Sequence, residues 1–189
     1  WYMARSAGLS TLRGMLHPGG VAILWARMHP MLILKLMFVL ALANGAPVIG
    51  KKILKNRFTY PLDGGLRLPD GQPLFGASKT LRGILLSLIV TAGLAPLFGV
   101  SSRIGLVAAA AAMTGDLFSS FVKRRMKLPP SSQALGLDQI PESLFPLIAV
   151  KHASGLSIAD IAIGVAIFFI GELLLSRLLF KFKLRDRPY

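Results

Sequence analysis

The chain has 189 residues, of which 53% are hydrophobic and only 16% are charged, and its mean hydropathy is +0.62. A soluble domain typically carries about 25% charged residues, so this composition indicates an integral membrane protein. The formal net charge is +14, but the cations lie in patches between apolar runs, which argues against a nucleic-acid-binding protein. Because the chain has no cysteine, disulfides, thiolate catalysis and cysteine-ligated metals are excluded.

Apolar runs predict five transmembrane helices. Crossing the hydrocarbon of a bilayer takes about twenty mostly apolar residues in a helix. The predicted spans cover residues 31–50, 84–100, 104–122, 135–150 and 161–180. The fourth reaches across only if Asp138, Gln139 and Glu142 are included, so it is either a polar-lined span or a re-entrant helix. Residues 1–30 are set apart from the single transmembrane domain, residues 31–189.

Basic residues are distributed unevenly between the loops. If all five segments cross, most cations lie on one side, in the loops after the first and third spans and in the C-terminal tail. Cytoplasmic loops carry such an excess of Lys and Arg. The prediction is therefore an all-α, polytopic protein of the cell membrane, with its N-terminus outside, its C-terminus in the cytoplasm and a polar site formed by cytoplasmic loops.

The stretch GDLFSSFVKRRMKLP, residues 115–129, joins one carboxylate to several cations. An Asp within hydrocarbon costs roughly 2.5 to 3.5 kcal/mol on insertion scales, so Asp116 is expected to have a function. On a continuous helix, Asp116, Ser120, Lys123 and Lys127 share one face. Carboxylate oxygens suit Mg²⁺, and the cations suit phosphates. The alternative is an ordinary cytoplasmic basic cluster in which Asp116 pairs with one of these cations.

The first cytoplasmic loop ends in GQPLFGASKTLRG. The spacing does not fit a P-loop, but Lys79, Thr80 and Arg82 lie at the start of the second span, where free amides and the helix dipole favour an anion. A basic membrane-proximal collar is the alternative. Asp63, in LDGG, either contacts a metal or forms the turn.

The stretch LGLDQIPES spaces Asp138 and Glu142 one helical turn apart. Pro141 is expected at the first position of a helix, which places Asp138 just before the helix starts. Asp138 then either reaches a metal or caps the helix. Glu172, deep in the fifth span, either pairs with Arg177 or lines a cavity. No histidine is expected to act as a base.

Together, GASKTLRG, GDLFSSFVKRR and LDQIPES resemble the CDP-archaeol synthase family, relatives of the phosphatidate cytidylyltransferases. The resemblance covers roughly residues 31–185. The serine, Lys-Arg pair and later Asp of related cytidylyltransferases are matched by Ser120, Lys123, Arg124 and Asp138. In their second motif, which is similar to LDRID, Gln139 replaces the Arg and Pro141 the second Asp, with Glu142 one residue on. This departure favours the archaeol-type branch.

The resemblance implies transfer of CMP from CTP to a membrane lipid phosphate of the 2,3-di-O-geranylgeranylglyceryl type, with release of pyrophosphate and a need for Mg²⁺. The implied metal ligands are Asp116, Asp138, Glu142 and Asp63, and the implied catalytic residues are Asp116, Asp138 and Lys123. The implied substrate-binding residues are Lys79, Thr80, Arg82, Ser119, Ser120, Lys123, Arg124 and Arg125. The expected partners are CTP, the lipid phosphate and the bilayer.

The carboxylates, lysines and arginines of these stretches are residue types that suit this reaction. A lipid phosphate is largely ionised at neutral pH, since its second pKa is about 6, so the nucleophile needs no general base. Catalysis then depends on positioning two polyanions and neutralising their charge, which carboxylate-held metal and Lys or Arg supply. The alternatives are a phosphatidate cytidylyltransferase that makes CDP-diacylglycerol, and a small anion transporter with Asp116 and Glu172 along its path.

Overall fold

The computed structural model describes residues 28–129 and 132–181, which form five α-helices. These are α1 (Pro30–Leu54), α2 (Leu81–Leu94), α3 (Ser102–Arg125), α4 (Gln139–Ser154) and α5 (Ile158–Lys181), with a 3-10 turn, Ala95–Phe98, directly after α2. In this part of the chain β-structure is limited to two isolated bridges between α1 and α2. The all-α prediction is confirmed. Most of the separate N-terminal segment and of the basic tail lies outside the described residues.

Local sequence signals set the helix ends. Thr80 accepts a hydrogen bond from the amide of Gly83 at the start of α2, and Ser101 accepts one from Ile104 at the start of α3. Such side chains satisfy amides that have no partner in the first helical turn. Gly99 and Gly155 have positive φ angles of 69° and 70° where the 3-10 turn and α4 end, a backbone conformation that favours glycine.

Four of the helical segments are long and apolar enough to cross a bilayer: Pro30–Leu54, Leu81–Phe98, Ser102–Arg125 and Ile158–Arg177. Many large apolar side chains are exposed along them, among them Ile53, Leu97 and Ile158. Exposed apolar surface on this scale indicates contact with lipid. Helix α4 has only 16 residues and is not among these four, and it lies four residues further along the chain than the predicted span 135–150.

A contact between the starts of α1 and α5 indicates the course of α4. His29, directly before α1, donates its backbone amide to Asp160 in the first turn of α5, and its Nδ1 lies 3.0 Å from the same carboxylate. Both helices therefore begin at the same end of the bundle, here called the outer end. A re-entrant α4 would separate His29 from Asp160, so the structure supports the predicted five crossings, with α4 as a short polar-ended crossing helix.

The apolar core lies in the half of the bundle nearest the outer end. Its main cluster draws on α1, α3, α4 and α5, on the 3-10 turn after α2 and on two loops, and consists of Leu36, Val39, Ala95, Val100, Ala108, Leu147, Val150, Leu156 and Ile161. A smaller cluster of Ala43, Ala109 and Ala112 lets α1 and α3 approach closely. The other half of the bundle contains most of the buried polar residues of α3 and α4, and these form the candidate site.

Candidate active site

The site is built on a close backbone contact between α3 and α4. A methyl group at Gly115 would come within 2.3 Å of the carbonyl oxygen of Pro141. One turn further along α3, the Ser119 hydroxyl lies 2.6 Å from the carbonyl oxygen of Leu137, to which it donates. These contacts set Asp116 beside the first turn of α4. Ser120 is buried on the same segment.

Acidic residues from three helices meet at this contact. Asp116 of α3 lies beside Glu142 of α4, and Glu172 of α5 is close enough to Glu142 to interact electrostatically. The ammonium of Lys79 lies 2.5 and 2.7 Å from the two carboxylate oxygens of Asp116. Asp116 thus pairs with a lysine from the first loop, where the sequence alternative expected a cation from its own helix. Adjacent carboxylates repel unless a proton or a cation lies with them, so the cluster suits a cation.

A second ion pair lies nearer the end of α3. The Lys123 ammonium lies 2.6 Å from Asp138 Oδ1 and donates to the carbonyl oxygen of Ser132 at 3.0 Å. Asp138 stands directly before α4, as predicted, but makes no side-chain hydrogen bond to the amides of that helix. Its other oxygen accepts the amide of Ala134 at 2.9 Å. The capping alternative for Asp138 is therefore wrong.

Arg124 is a buried arginine with unpaired hydrogen-bond donors. Only 2% of the residue is exposed, and its Nη2 donates to the carbonyl oxygen of Pro129 at 3.0 Å. Its Nε and Nη1 atoms are buried without a hydrogen-bond partner among the described residues. Leaving buried guanidinium donors unsatisfied is costly, and an anion is the group that satisfies them best. Among the described residues, Arg124 is accordingly the strongest candidate for holding a phosphate.

Three predicted phosphate ligands have other partners. Arg82 donates to the carbonyl oxygens of Lys55 and Arg57, which lie at the end of α1, and Thr80 caps α2. Arg125 binds Asp70 and the carbonyl oxygen of Pro73. The Thr80 oxygen accepts the amide of Gly83, and the contacts of Arg82 and Arg125 turn these guanidinium groups toward backbone carbonyls and Asp70. We therefore leave Thr80, Arg82 and Arg125 out of the phosphate-binding set proposed below.

The predicted polar face of α3 is shorter than expected. Helix α3 ends at Arg125, and Lys127 has a φ of +57°, so this lysine leaves the helical face shared by Asp116, Ser120 and Lys123. The lysine nearest to the carboxylate of Asp116 is the loop residue Lys79 instead.

Asp63 forms a turn. Its carboxylate accepts hydrogen bonds from the amides of Gly65, Phe75 and Gly76, each at 3.0 Å. Partial burial opposes ionisation of this carboxyl, but the three amide donors outweigh it and lower the pKa of Asp63 below its usual range. Both oxygens are engaged in organising the loop, which fits the turn alternative and not a metal ligand.

The four predicted metal ligands do not meet at one point. No group of three or more His, Cys, Asp or Glu side chains that could hold a metal ion occurs in residues 28–129 and 132–181. Asp63 lies in the loop and Asp138 lies beside Lys123, whereas Asp116 and Glu142 lie together with Lys79 next to them. Mg²⁺ is usually held by one or two carboxylates together with substrate phosphates, so this pair fits the ion.

The chain is similar to enzymes of archaeal lipid synthesis. The CarS-like family model, described as CDP-archaeol synthase, matches residues 98–189. The CDP-archaeol synthase of Thermofilum pendens is 30% identical in an alignment 190 residues long, which covers 96% of this chain and 88% of the relative. The chain belongs to the CDP-archaeol synthase family. The family member from Pyrobaculum islandicum is 30% identical over 152 residues, or 78% of this chain and 91% of the relative.

A solved structure of an intramembrane enzyme for archaeal membrane lipids biosynthesis is also similar. Its TM-score is 0.60 and its sequence identity 27%, over 73% of this chain and 90% of that chain. Membership in the family confirms the resemblance noted in the sequence and the type of enzyme, a membrane-embedded lipid-phosphate cytidylyltransferase. The transporter alternative is thereby set aside.

Sequence reasoning missed two features of the site. It did not pair Lys79 with Asp116, and it gave no role to Gly115. A signal for Gly115 was available, since a glycine directly before an intramembrane acid in a long helix permits close approach of another backbone. The pairing of Lys79 had no comparable local signal.

Proposed function

We propose that the protein transfers the cytidylyl group of CTP to the phosphate of an isoprenoid ether lipid of the 2,3-di-O-geranylgeranylglyceryl type, giving a CDP-lipid and pyrophosphate. The observation that carries this proposal is the Asp116, Glu142 and Lys79 cluster inside an apolar helical bundle, on the same helix, α3, as the buried Arg124. The archaeol-type acceptor is supported by the names of the relatives and by the departure of LDQIPES from the diacylglycerol-type motif.

The chain's own residues would act by positioning the two substrates and neutralising their negative charge. The acceptor phosphate is already ionised, so the donor must be positioned and its repulsion of the acceptor reduced. Lys79 lies beside Asp116, whereas Lys123 and Arg124 lie about 10 and 12 Å further along α3, since they follow Asp116 by seven and eight residues at 1.5 Å each. The triphosphate and the lipid phosphate can both be bound between Lys79 at one end and Lys123 and Arg124 at the other.

Asp116 and Glu142 are the residues that would hold Mg²⁺, which when bound neutralises phosphate charge. We propose that Lys79 contacts a phosphate next to this pair and that Lys123 and Arg124 hold the phosphates nearer the end of α3. Ser119 and Ser120 line the segment between them, with Ser119 engaged in the α3–α4 contact. Asp138 would keep Lys123 oriented.

The site is proposed to face the cytoplasm. The end of α1 that lies beside Arg82 carries the exposed cations Lys51, Lys52, Lys55 and Arg57. Positively charged loops of this kind remain on the cytoplasmic side. CTP would then arrive from the cytoplasm, while the lipid phosphate comes from the membrane leaflet.

An apolar groove supports a lipid acceptor. It has a volume of about 350 Å³ and is lined by Ala111, Thr114, Phe145, Ile148 and Ala149. Thr114 is two residues from Asp116, and Phe145 is one turn from Glu142. Ile148 is exposed on the surface, so the groove opens toward the bilayer.

The proposal is tested by transfer of labelled cytidine from CTP into extractable lipid by the purified protein. Digeranylgeranylglyceryl phosphate and phosphatidic acid are offered separately, with Mg²⁺ and with EDTA. Transfer to the isoprenoid ether, lost with EDTA, is expected. Equal or better transfer to phosphatidic acid would overturn the acceptor assignment, and no transfer by folded protein would overturn the proposed reaction.

A further inference from the structure

The loop between α1 and α2 is an ordered hairpin. Pro61 and Thr80 form a bridge at its base, where the amide of Leu62 donates to the carbonyl oxygen of Lys79 at 2.8 Å. A second bridge, between Arg67 and Pro73, closes its tip. We call residues 60–80 the first-loop hairpin. Lys79 lies at its end, so the position of the hairpin determines where the Lys79 ammonium can reach.

Arg125 holds the tip of this hairpin. Its Nη1 lies 2.9 and 2.8 Å from the two carboxylate oxygens of Asp70, and its Nη2 donates to the carbonyl oxygen of Pro73 at 2.7 Å. The guanidinium carbon lies 5.2 Å from the centre of the Phe121 ring. The contacts with Asp70 and Pro73 turn the guanidinium toward the hairpin, while the Phe121 ring of α3 packs against it.

The hairpin is thus fixed to α3 at two points. Its tip is held by Arg125 and its end by Asp116, through Lys79. Nine residues separate these two points on α3, about 13 Å at 1.5 Å per residue. Between them, Asp63 ties the middle of the hairpin through the amides of Phe75 and Gly76. A rigid helix with two attachment points therefore sets the approach of Lys79.

We propose that Arg125 and Asp70 are positioning residues for cytidylyl transfer, which hold the first-loop hairpin so that Lys79 reaches the Asp116 carboxylate. The inference rests on the proposed role of Lys79 in the reaction. It differs from the sequence expectation, in which Arg125 itself binds a phosphate. Arginine suits the task because its planar fork bonds a carboxylate and a backbone carbonyl together, whereas a lysine ammonium offers a single point charge.

The first test measures how exposed the Lys79 amine is. Reductive methylation of the detergent-solubilised protein without nucleotide, read by mass spectrometry, gives the labelling rate of Lys79. Arg125→Met and Asp70→Asn are each expected to raise this rate about fivefold, which corresponds to about 1 kcal/mol of weaker docking. Arg103→Met, on the outer end of the same helix, is the control and leaves the rate unchanged. An unchanged rate in both hairpin variants, with protein that is folded, contradicts the proposal.

The second test separates positioning from direct phosphate binding. Asp70 carries no positive charge, so Asp70→Asn can lower kcat/KM for CTP only through the hairpin. We expect Asp70→Asn, Arg125→Met and Arg125→Lys to lower kcat/KM together, since none of them keeps the forked contact. Wild-type kcat/KM in Asp70→Asn and Arg125→Lys, with a loss in Arg125→Met, would return Arg125 to phosphate binding. If the wild-type protein transfers no cytidine at all, the proposed function fails, while the labelling test still decides the hairpin contact.

Discussion

Gly115 of α3 lies against the backbone of Pro141 in α4, so closely that a methyl group there would be 2.3 Å from the Pro141 carbonyl oxygen and 2.9 Å from the Glu142 amide nitrogen. The next residue in α3 is Asp116, and the next in α4 is Glu142. One backbone contact therefore sets the separation of the two carboxylates that we propose as metal ligands.

The variant Gly115→Ala is expected to push α3 and α4 apart. Overpacking a tight contact costs about 1 to 3 kcal/mol, and the backbone carbonyl cannot move aside as a side chain could. Thermal unfolding in detergent should show a lower midpoint, and turnover should fall because Asp116 and Glu142 separate.

Gly93→Ala in α2 is the matched control for this helix glycine. A methyl group there meets no atom within 4 Å, and alanine in a helix interior is favoured over glycine by roughly 0.5 to 1 kcal/mol. It should leave the unfolding midpoint equal or slightly higher. If the unfolding midpoint and turnover fell equally in Gly115→Ala and Gly93→Ala, the α3–α4 contact would not be the cause of the fall.

The variant Asp116→Asn is expected to abolish turnover while the protein remains folded. The change removes the charge that Lys79 and the proposed metal site need, yet it keeps the size of the side chain. The measurement is cytidylyl transfer, with the elution volume and unfolding midpoint of the detergent-solubilised protein as the check on folding.

Asp160→Asn is the comparison for this change, because Asp160 is a fully buried acid at the outer end of the bundle. It binds His29 and the amide of Ser157, so its loss should lower the unfolding midpoint but not the turnover of each folded molecule. Activity like the wild type in Asp116→Asn would rule out the metal role of Asp116.

Helix positions could be predicted from the sequence because each apolar run is a local signal. The starts of α2 and α3 also carry local capping residues, Thr80 and Ser101. Helix α4 was harder to locate, since Pro141 and the acids make its first turn polar, and it begins four residues later than the predicted span.

The partners of the charged residues could be predicted less well. Residue types and their order indicated phosphate and metal chemistry, but which cation meets which acid depends on contacts between distant segments. Lys79 and Asp116 are 37 positions apart, and Arg125 and Asp70 are 55 apart. Nothing in the local pattern of KRR distinguishes Arg124, whose Nε and Nη1 are buried without a partner among the described residues, from Arg125, whose Nη1 and Nη2 hold a loop.

Lys123→Ala is expected to raise the KM for CTP by about tenfold or more, since a hydrogen bond to a charged group contributes roughly 1.5 to 3 kcal/mol. Lys123 is buried between Asp138 and the carbonyl oxygen of Ser132, so a neutral side chain removes a fixed positive charge from the site. Lys52→Ala, an exposed lysine at the end of α1, serves as the control. An equal KM in the wild type and Lys123→Ala would assign this lysine to charge balance alone.

Arg82→Ala should affect stability more than substrate binding. Its guanidinium bonds the carbonyl oxygens of Lys55 and Arg57, so the variant leaves the end of α1 without these donors. We expect a lower unfolding midpoint and a KM for CTP close to that of the wild type, measured on the folded fraction. A large rise in KM with no change in the midpoint would restore Arg82 to the phosphate-binding residues.

Asp63 should make the hairpin stable over a defined range of pH. Its pKa is lowered in the folded protein, because amide donors outweigh the effect of partial burial, so the unfolded chain binds the proton more readily. The stabilisation is therefore fully present above the unfolded pKa of about 3.9 and is lost as pH falls through the lower, folded pKa.

The comparison of wild type with Asp63→Asn measures this effect. Hydrogen exchange at the Phe75 and Gly76 amides should be faster in the variant above about pH 5, and the difference should shrink as pH falls below about 4. A difference that stays constant down to the lowest pH would show that ionisation of Asp63 does not contribute.

The Lys79–Asp116 pair joins a residue from a loop outside the helical bundle to one within a membrane helix. Helices of membrane proteins can insert independently and associate afterwards, and the hairpin can dock only once the end of α3 is in place. On the role that we propose for Lys79, insertion of the helices and completion of the site are therefore separable steps. All five helices can be inserted in the bilayer before the first-loop hairpin docks onto α3, and the proposed site is incomplete until it does.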